Sequence, residues 1–483
     1  MPDAPPLKLA VVGHTNTGKT SLLRTLTRNP DFGKVDDQPG TTRHVEGTRL
    51  LIDDRPVVEL FDTPGLEDSM ALLDYLDQIA ERSQRLDGPD RIRRFLDSPE
   101  SKRRFEQEAR VLNKLLACDA GLYVVDARDP VLGKHKDELA LLASCGRPLL
   151  PVLNFIHSQG ERSDAWRETL ARLGLHASVE FDTVAPALDG EDQLYGKLAL
   201  LMDAHAPLLA ALRRDVAEQR VVRRKDAARL IAELLVDAAA WHLGCAPDDE
   251  SVRQATDTLR RKIRKREADC VKALLKRYNF RSADFPQHTL PLQGERWGMD
   301  LFHPQALKDA GLHVGKGIAA GAMAGVTVDI FTAGLSMGAA ALAGAALGGL
   351  WQGADQLGKR IMGRLKGYRE LSVDDAVLRL LRIRQVRLAL ALERRGHAAQ
   401  TPIVLAADGQ PAGEAQSARD AGTALAVPPK PAPSKPAPPP LPEELAEARS
   451  RPQWSTLDPH YASSPRRDRI VRSLATTLDA DMA

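Results

Sequence analysis

The run GHTNTGKT, residues 13 to 20, matches GxxxxGK[ST] and lies between an apolar strand-like stretch and helical sequence. That is the context in which this spacing holds phosphate. Gly13 and Gly18 let the backbone curl so that amides from His14 to Thr17 point at phosphate oxygens. Lys19 supplies a point charge at the β and γ phosphates, the Thr20 hydroxyl is a magnesium ligand, and Ser21 completes the phosphate-binding set. Three elements follow in order. PGTTRH, 39 to 44, offers Thr41 and Thr42 to the magnesium shell. DTPG, 62 to 65, ends a strand: Asp62 can hold magnesium through water, and the Gly65 amide can bond a γ-phosphate and move when it leaves. NFIH, 154 to 157, ends a later strand.

The elements that must position these residues are legible. LKLAVV (7 to 12) is a buried parallel strand opening on Gly13, and a helix runs from Lys19 to about Arg28. TRLLIDDRPVVELF (48 to 61) reads as two strands joined by a tight turn. AGLYVVDA, RPLLPVLNF and HASVEF supply three more strands, and the alternation with helix to about residue 204 predicts a doubly wound α/β domain over 1–204. Charged, helix-compatible sequence between Leu66 and Ala117 interrupts it as an insertion. Following DTPG directly, the insertion is placed to convey the state of the phosphate site.

GHTNTGKTS, PGTTRH and DTPG together resemble the translation-factor-related GTPases, and within them the Era and TrmE-like branch, over residues 7 to about 200. The resemblance implies binding of GTP and GDP, magnesium-dependent hydrolysis carried by Lys19, Thr42 and Gly65, and a nucleotide-dependent dimer of G domains. In Ras-like proteins a glutamine after the DTPG-type glycine orients the attacking water; here that residue is Leu66, which implies slow intrinsic hydrolysis. TrmE-like members use a phosphate-loop asparagine to ligate potassium in place of an arginine finger. Asn16 matches it and offers a hard carbonyl oxygen; as a turn residue, Asn is also common there for its backbone conformation alone.

The pattern departs from the family at the base. Of NKxD only the bracing asparagine remains, as Asn154. Phe155 replaces the lysine and could stack on a purine; His157 replaces the aspartate, and a neutral imidazole cannot accept both guanine protons. Losing a bidentate reader costs about 1–3 kcal/mol of discrimination. Asp182, after the last strand, is the candidate replacement carboxylate, with capping of the next turn as its competing role.

Composition excludes some classes. The 67 basic and 65 acidic side chains leave no global attraction to nucleic acid, and four scattered cysteines without CxxC or zinc spacing read as free thiols in a reducing compartment. MPDAPPLKLAVVG reads as a strand rather than a signal peptide.

Residues 205–404 read as a mainly α-helical C-terminal domain with a Gly/Ala-rich apolar hairpin at 315–353. There Gly317, Gly321 and Gly325, then Gly334 with Gly338 and Gly344 with Gly348, recur at four-residue spacing, a glycine zipper. Residues 330 to 351 are uncharged, about the 20 residues a bilayer span needs, with basic flanks and Asp329 at the expected bend. The segment therefore fits either a membrane or membrane-protein contact or a packed soluble hairpin. The run RRKIRKR, 260 to 266, fits a solvated face, anionic lipid or RNA, although no KH-type loop or aromatic strand supports RNA. Residues 405–483, with a polyproline-type linker at 428 to 442, read as a mostly disordered tail with one short helical candidate near RDRIVRSLATTL, 467 to 478. The expectation is a cytoplasmic GTPase switch, peripheral or integral to the inner membrane. A ribosome- or RNA-associated assembly GTPase and a non-catalytic nucleotide-binding scaffold are the alternatives.

Overall fold

A computed structural model of the chain describes residues 5–33, 45–79, 86–281, 300–303, 326–330, 369–399 and 442–483. The chain forms two compact units: Met1–Arg223 with Tyr278–Phe285 and Ala391–Ile403, and Arg224–Arg277 with Pro286–Leu390 and Val404–Ala483. The first therefore continues past the expected limit at residue 204 and recruits two later segments.

Strands β1 (Leu7–Val12), β2 (Glu46–Ile52), β3 (Arg55–Asp62), β4 (Ala120–Asp126), β5 (Leu149–Asn154) and β6 (Val179–Glu180) form one sheet in the order β2-β3-β1-β4-β5-β6. All neighbours are parallel except β2 and β3. That exception needs only a two-residue turn, and Asp53 and Asp54 adopt the positive φ that such a turn requires. Every residue of β4 and β5 is buried, as central parallel strands demand. Around them lie α1 (Lys19–Thr27), α2 (Ser69–Ile79), α3 (Gly88–Leu96), α4 (Glu106–Leu116), α5 (Gly133–Ala143), α6 (Ser163–Arg172), α7 (Gly190–Leu201) and the start of α8 (Ala206–Ala240). Ala10, Val12 and Tyr123 face a core shared with Phe95, Leu112 and Trp166, while Leu9, Val11 and Leu122 face Leu22, Phe181 and Tyr195. The strand order reverses between β1 and β4, so a crevice opens at their carboxyl ends, where the phosphate loop begins.

The expected insertion is α2, α3, the short 3₁₀ turn Pro99–Lys102 and α4. Tyr75, Phe95 and Phe105 pack together with ring centroids 5.8 to 6.3 Å apart. Buried Glu108 on α4 accepts the Glu67 and Asp68 amides at 3.1 and 3.0 Å, joining the insertion to the chain just after DTPG.

The second unit contains the rest of α8, β7 (His242–Cys245), α9 (Asp249–Arg277), β8 (Val326–Ile330), β9 (Arg369–Val373), most of α10 (Asp375–Glu393), α11 (Glu443–Arg449) and α12 (Pro465–Asp481). It is mainly helical, as expected, with an antiparallel sheet β7-β9-β8 that was not. This corrects the hairpin expectation in part. VTVDI, residues 326 to 330, is β-branched and pairs as a strand inside the expected helical zipper, so Asp329 sits in a ladder opposite Glu370 rather than at a bend. The rest of 315–353 lies outside the described residues. Among the described residues no helix is long and apolar enough to cross a membrane. All four cysteines are buried and free.

Two further expectations are corrected. The RRKIRKR run is only in part an open basic face: Arg261 and Lys265 are exposed, whereas Arg264 pairs with Asp300 at 2.5 and 2.8 Å, Arg260 and Arg264 lie over Phe302, Lys262 lies over Trp241, and Arg266 pairs with Asp237. Residues 442–464 are not disordered but fold into α11 and a 3₁₀ turn, and α12 covers the helical candidate near RDRIVRSLATTL; together they bury Leu445, Trp454, Val471, Leu474 and Leu478. Their anchor is Asp237 on α8, fully buried. It accepts from Arg266 Nε (2.8 Å), Arg467 Nη2 (3.0 Å), Thr456 N (3.0 Å) and Thr456 Oγ1 (2.7 Å). Removing one member of such a cluster leaves opposite charges buried and unpaired. Asp237→Ala should cost about 3–5 kcal/mol and expose 442–483 to trypsin. A urea midpoint and digestion pattern equal to the parent's would refute that anchoring role.

Candidate functional site

The loop from β1 to α1 takes the shape its sequence demands. Gly13 and Gly18 have φ of +140° and +92°, and Asn16, at +61°, supplies a third left-handed residue. Gly18 is also packed so closely beneath the Asn154 side chain that no Cβ would fit. Thr17 Oγ1 donates to His14 O at 3.1 Å, closing the loop on itself. Lys19 Nζ donates to Gly13 O and His14 O at 3.1 and 2.5 Å, so the ammonium lies under the loop's own carbonyls. Burial lowers its pKa to about 8, against the opposing pull of Asp62 and Glu138.

Asp62 ends β3 opposite Thr20, whose hydroxyl donates to Oδ2 at 2.5 Å. Its other oxygen, Oδ1, is buried and has no hydrogen-bond partner. Burial pushes the Asp62 carboxyl up to about 6, opposed by the Thr20 bond and the Lys19 charge. A buried carboxylate oxygen with nothing to accept from, beside a hydroxyl and an ammonium, is the donor set of a hard divalent cation brought in with phosphate. The residues thus fit magnesium. Thr42, and the whole of PGTTRH, lie outside the described residues.

DTPG closes directly on the phosphate loop. Leu66 N donates to Gly13 O at 3.2 Å, and a Cβ on Gly65 would stand 2.7 Å from Thr15 N. Thr63 Oγ1 donates to Val11 O at 2.7 Å. Leu66 is fully buried in the core together with Leu72 and Leu76 of α2 and Leu139 of α5.

The base region is held by Asn154. Its Oδ1 accepts Phe155 N and Thr183 N, both at 2.9 Å, and its Nδ2 donates to Thr17 O at 3.0 Å. Phe155 has φ +59°, which brings its ring to the edge of Gly18. The Arg128 guanidinium stacks on that ring at 4.1 Å, oriented by its bonds to Asp126. His157 is exposed. Asp182 stands next to it, but Oδ1 accepts Val184 N and Ala185 N at 2.9 and 3.1 Å, and Oδ2 accepts His157 N at 3.4 Å. The carboxylate expected to read guanine therefore caps the turn that follows it, the competing role its position offered.

Several working residues carried no sequence signal. Glu138 on α5 is buried, accepting His14 Nδ1–H at 2.6 Å and the Tyr123 hydroxyl at 3.0 Å; Lys134 Nζ donates to His14 Nε2 at 2.9 Å. These contacts fix His14 from outside the loop. Glu138 lies in ordinary amphipathic helical sequence, where nothing distinguishes it from a solvated glutamate. Arg128 and Asp126 were likewise invisible beside the departed NKxD.

Comparisons with known proteins agree with this geometry. The model of the family described as 50S ribosome-binding GTPase matches residues 8–155, and that of a domain of unknown function, DUF3482, matches residues 167–476. No protein of curated function matches the sequence. Among solved structures the chain is similar to Aquifex aeolicus Era bound to GDP and aluminium fluoride, at 16% identity and a TM-score of 0.28. That match covers 51% of this chain and 75% of the other. A second Era structure, with MgGDPNP and nucleotides 1506–1542 of 16S ribosomal RNA, matches at 15% identity and a TM-score of 0.29, over 50% and 74% of the two chains. Elongation factor SelB of Methanococcus maripaludis with a GTP analogue matches at 16% identity and 0.24, over 38% and 31%.

The burial of Leu66 gives a direct test of its role. Leu66→Gln should leave single-turnover hydrolysis within about twofold while lowering stability by about 1–3 kcal/mol, the cost of an amide without partners in the core. A tenfold gain in hydrolysis with unchanged stability would show that the side chain faces the reacting phosphate after all.

Proposed function

The chain belongs to the family described as a domain of unknown function, DUF3482, with a GTP-binding, GTP-hydrolysing switch domain at its N-terminal end, and we propose that this switch is magnesium-dependent, potassium-stimulated and relaxed in its choice of base. The observation that carries the magnesium reading is the orphaned Asp62 Oδ1, buried beside Thr20 and Lys19. Thr20 and Asp62, with Thr42, would hold the ion, which would supply charge neutralisation between the β and γ phosphates. Lys19 would exchange its two loop carbonyls for phosphate oxygens, regaining in charge-assisted bonds what it loses. Gly65, pressed against Thr15, would yield its amide to the γ-phosphate, and Glu108 would pass that movement to the insertion through the Glu67 and Asp68 amides.

Asn16 would present its carbonyl to potassium from its left-handed position. For the base, Phe155 and the arginine stacked on it support a sequence-tolerant platform, and the capping role of Asp182 leaves no bidentate carboxylate for guanine. Action at a membrane rests on the uncharged run from 330 to 351 with its basic flanks. Ribosome association is favoured by the description of the matching GTPase family, and disfavoured by the internal pairing of the RRKIRKR run.

The test is turnover and affinity for GTP and ATP in potassium and in sodium buffer. Slow GTP turnover should be abolished by EDTA and by Lys19→Ala, and raised by potassium in the parent but not in Asn16→Ala. GTP should be preferred over ATP by no more than about 100-fold, since the lost reader is worth about 1–3 kcal/mol. Turnover indifferent to the alkali cation would sink the Asn16 role. A preference of many thousandfold would mean that another group reads guanine.

A further inference from the structure

At the end of α1 away from the phosphate loop, the first unit contains a cavity of about 210 Å³. Its walls are the end of α1, residues 186 to 192, the α8 stretch from 213 to 223, Tyr278 and residues 392 to 397. Charged groups dominate it, and most are paired, although Glu191 and Glu393 each keep one buried oxygen, Oε2, without a hydrogen-bond partner. Arg28 pairs with Glu191 at 2.7 Å, Arg213 with Asp192 through two bonds of 2.7 Å, and Arg220 with Glu393 at 3.0 Å. The remaining wall carboxylate, Asp189, accepts Gln193 Nε2 at 2.7 Å.

Arg223 is the exception. It is only 9% exposed, lines the cavity, and among the described residues has no acceptor within hydrogen-bonding distance. Burial, then repulsion from Arg28, lowers its pKa to about 10, which still leaves it charged at neutral pH. Glu393 and Glu191 attract it through space, but a nearly buried guanidinium that makes no hydrogen bond to an acceptor is an expensive arrangement. Its planar fork of donors is suited to two oxygens of one oxyanion. The cavity exceeds what a bare phosphate fills, and Val216, Ala217 and Leu392 give it an apolar side for a small carbon skeleton.

We propose that this cavity is a second ligand site of the first unit, taking a small phosphate-bearing metabolite whose phosphate is held by Arg223. The site is independent of the phosphate loop and does not rest on the nucleotide reading. Its wall is also tied to the turn after β6: Thr25 Oγ1 donates to Thr183 O at 3.0 Å, and Gly396 N donates to Val184 O at 2.9 Å.

The experiment is thermal unfolding of the full chain, saturated with GDP, against inorganic phosphate and glycerol 3-phosphate, with sodium chloride at matched ionic strength as control. Lys19→Ala, examined alongside, removes any contribution of the phosphate loop. At ten times Kd the ligand should raise the midpoint by roughly 3–6 °C in the parent and in Lys19→Ala. Arg223→Gln should abolish the rise, and so should Ala217→Phe, which fills the exposed mouth without altering a charge. Glycerol 3-phosphate acting at lower concentration than phosphate identifies an ester; equal potency identifies the free anion. A rise that persists in both cavity variants, that vanishes in Lys19→Ala, or that is absent from the parent with both ligands overturns the site.

Discussion

The nucleotide face depends on one carboxamide. Three loops leave the carboxyl edge of the sheet: the phosphate loop after β1, the base loop after β5 and the turn after β6. Each has buried amides or carbonyls that no strand can pair. Asn154 serves all three at once, accepting Phe155 N and Thr183 N on Oδ1 and donating from Nδ2 to Thr17 O. Aspartate could not make the third bond and leucine could make none. This explains why the chain keeps the first letter of NKxD while losing the others: the lost letters contact the base, whereas Asn154 holds the protein together.

The two units use buried charge in opposite ways. Asp237 receives two arginines, a hydroxyl and an amide, and the satisfied cluster fastens the last helices to α8. Asp62 receives a single hydroxyl, and its carboxyl is pushed up to about 6 because burial outweighs what Thr20 and Lys19 return. The same physics makes the first a structural anchor and leaves the second short of hydrogen bonds, in the crevice at the switch point of a doubly wound sheet.

Much of the first unit was legible because its signals are local. GHTNTGKT fixes its own backbone, DTPG ends a strand, and uniformly apolar β4 and β5 admit only a central position. The helical character of 66–117 followed from charge and periodicity. What escaped the sequence depends on distant pairing. Glu138, Arg128 and Asp182 differ from surface residues only through partners on other elements. In the tail only the helix near RDRIVRSLATTL was legible; the stretch from 442 looked too polar to fold, because Arg467 and Thr456 find their acceptor on Asp237, more than 200 residues earlier. VTVDI was hidden by the glycine spacing around it, and its β-branched residues were the overlooked sign.

The phosphate loop is gripped from two sides by groups that do not contact phosphate. On one side Gly13 and Thr15 meet Leu66 and Gly65 of the switch; on the other, His14 is tied by Glu138 to α5 and to Tyr123 on β4. The second grip is anchored in the sheet and the first in a segment whose next amides bond Glu108. A leucine after Gly65 suits that arrangement, since a buried apolar side chain makes the switch segment move with the core beneath it.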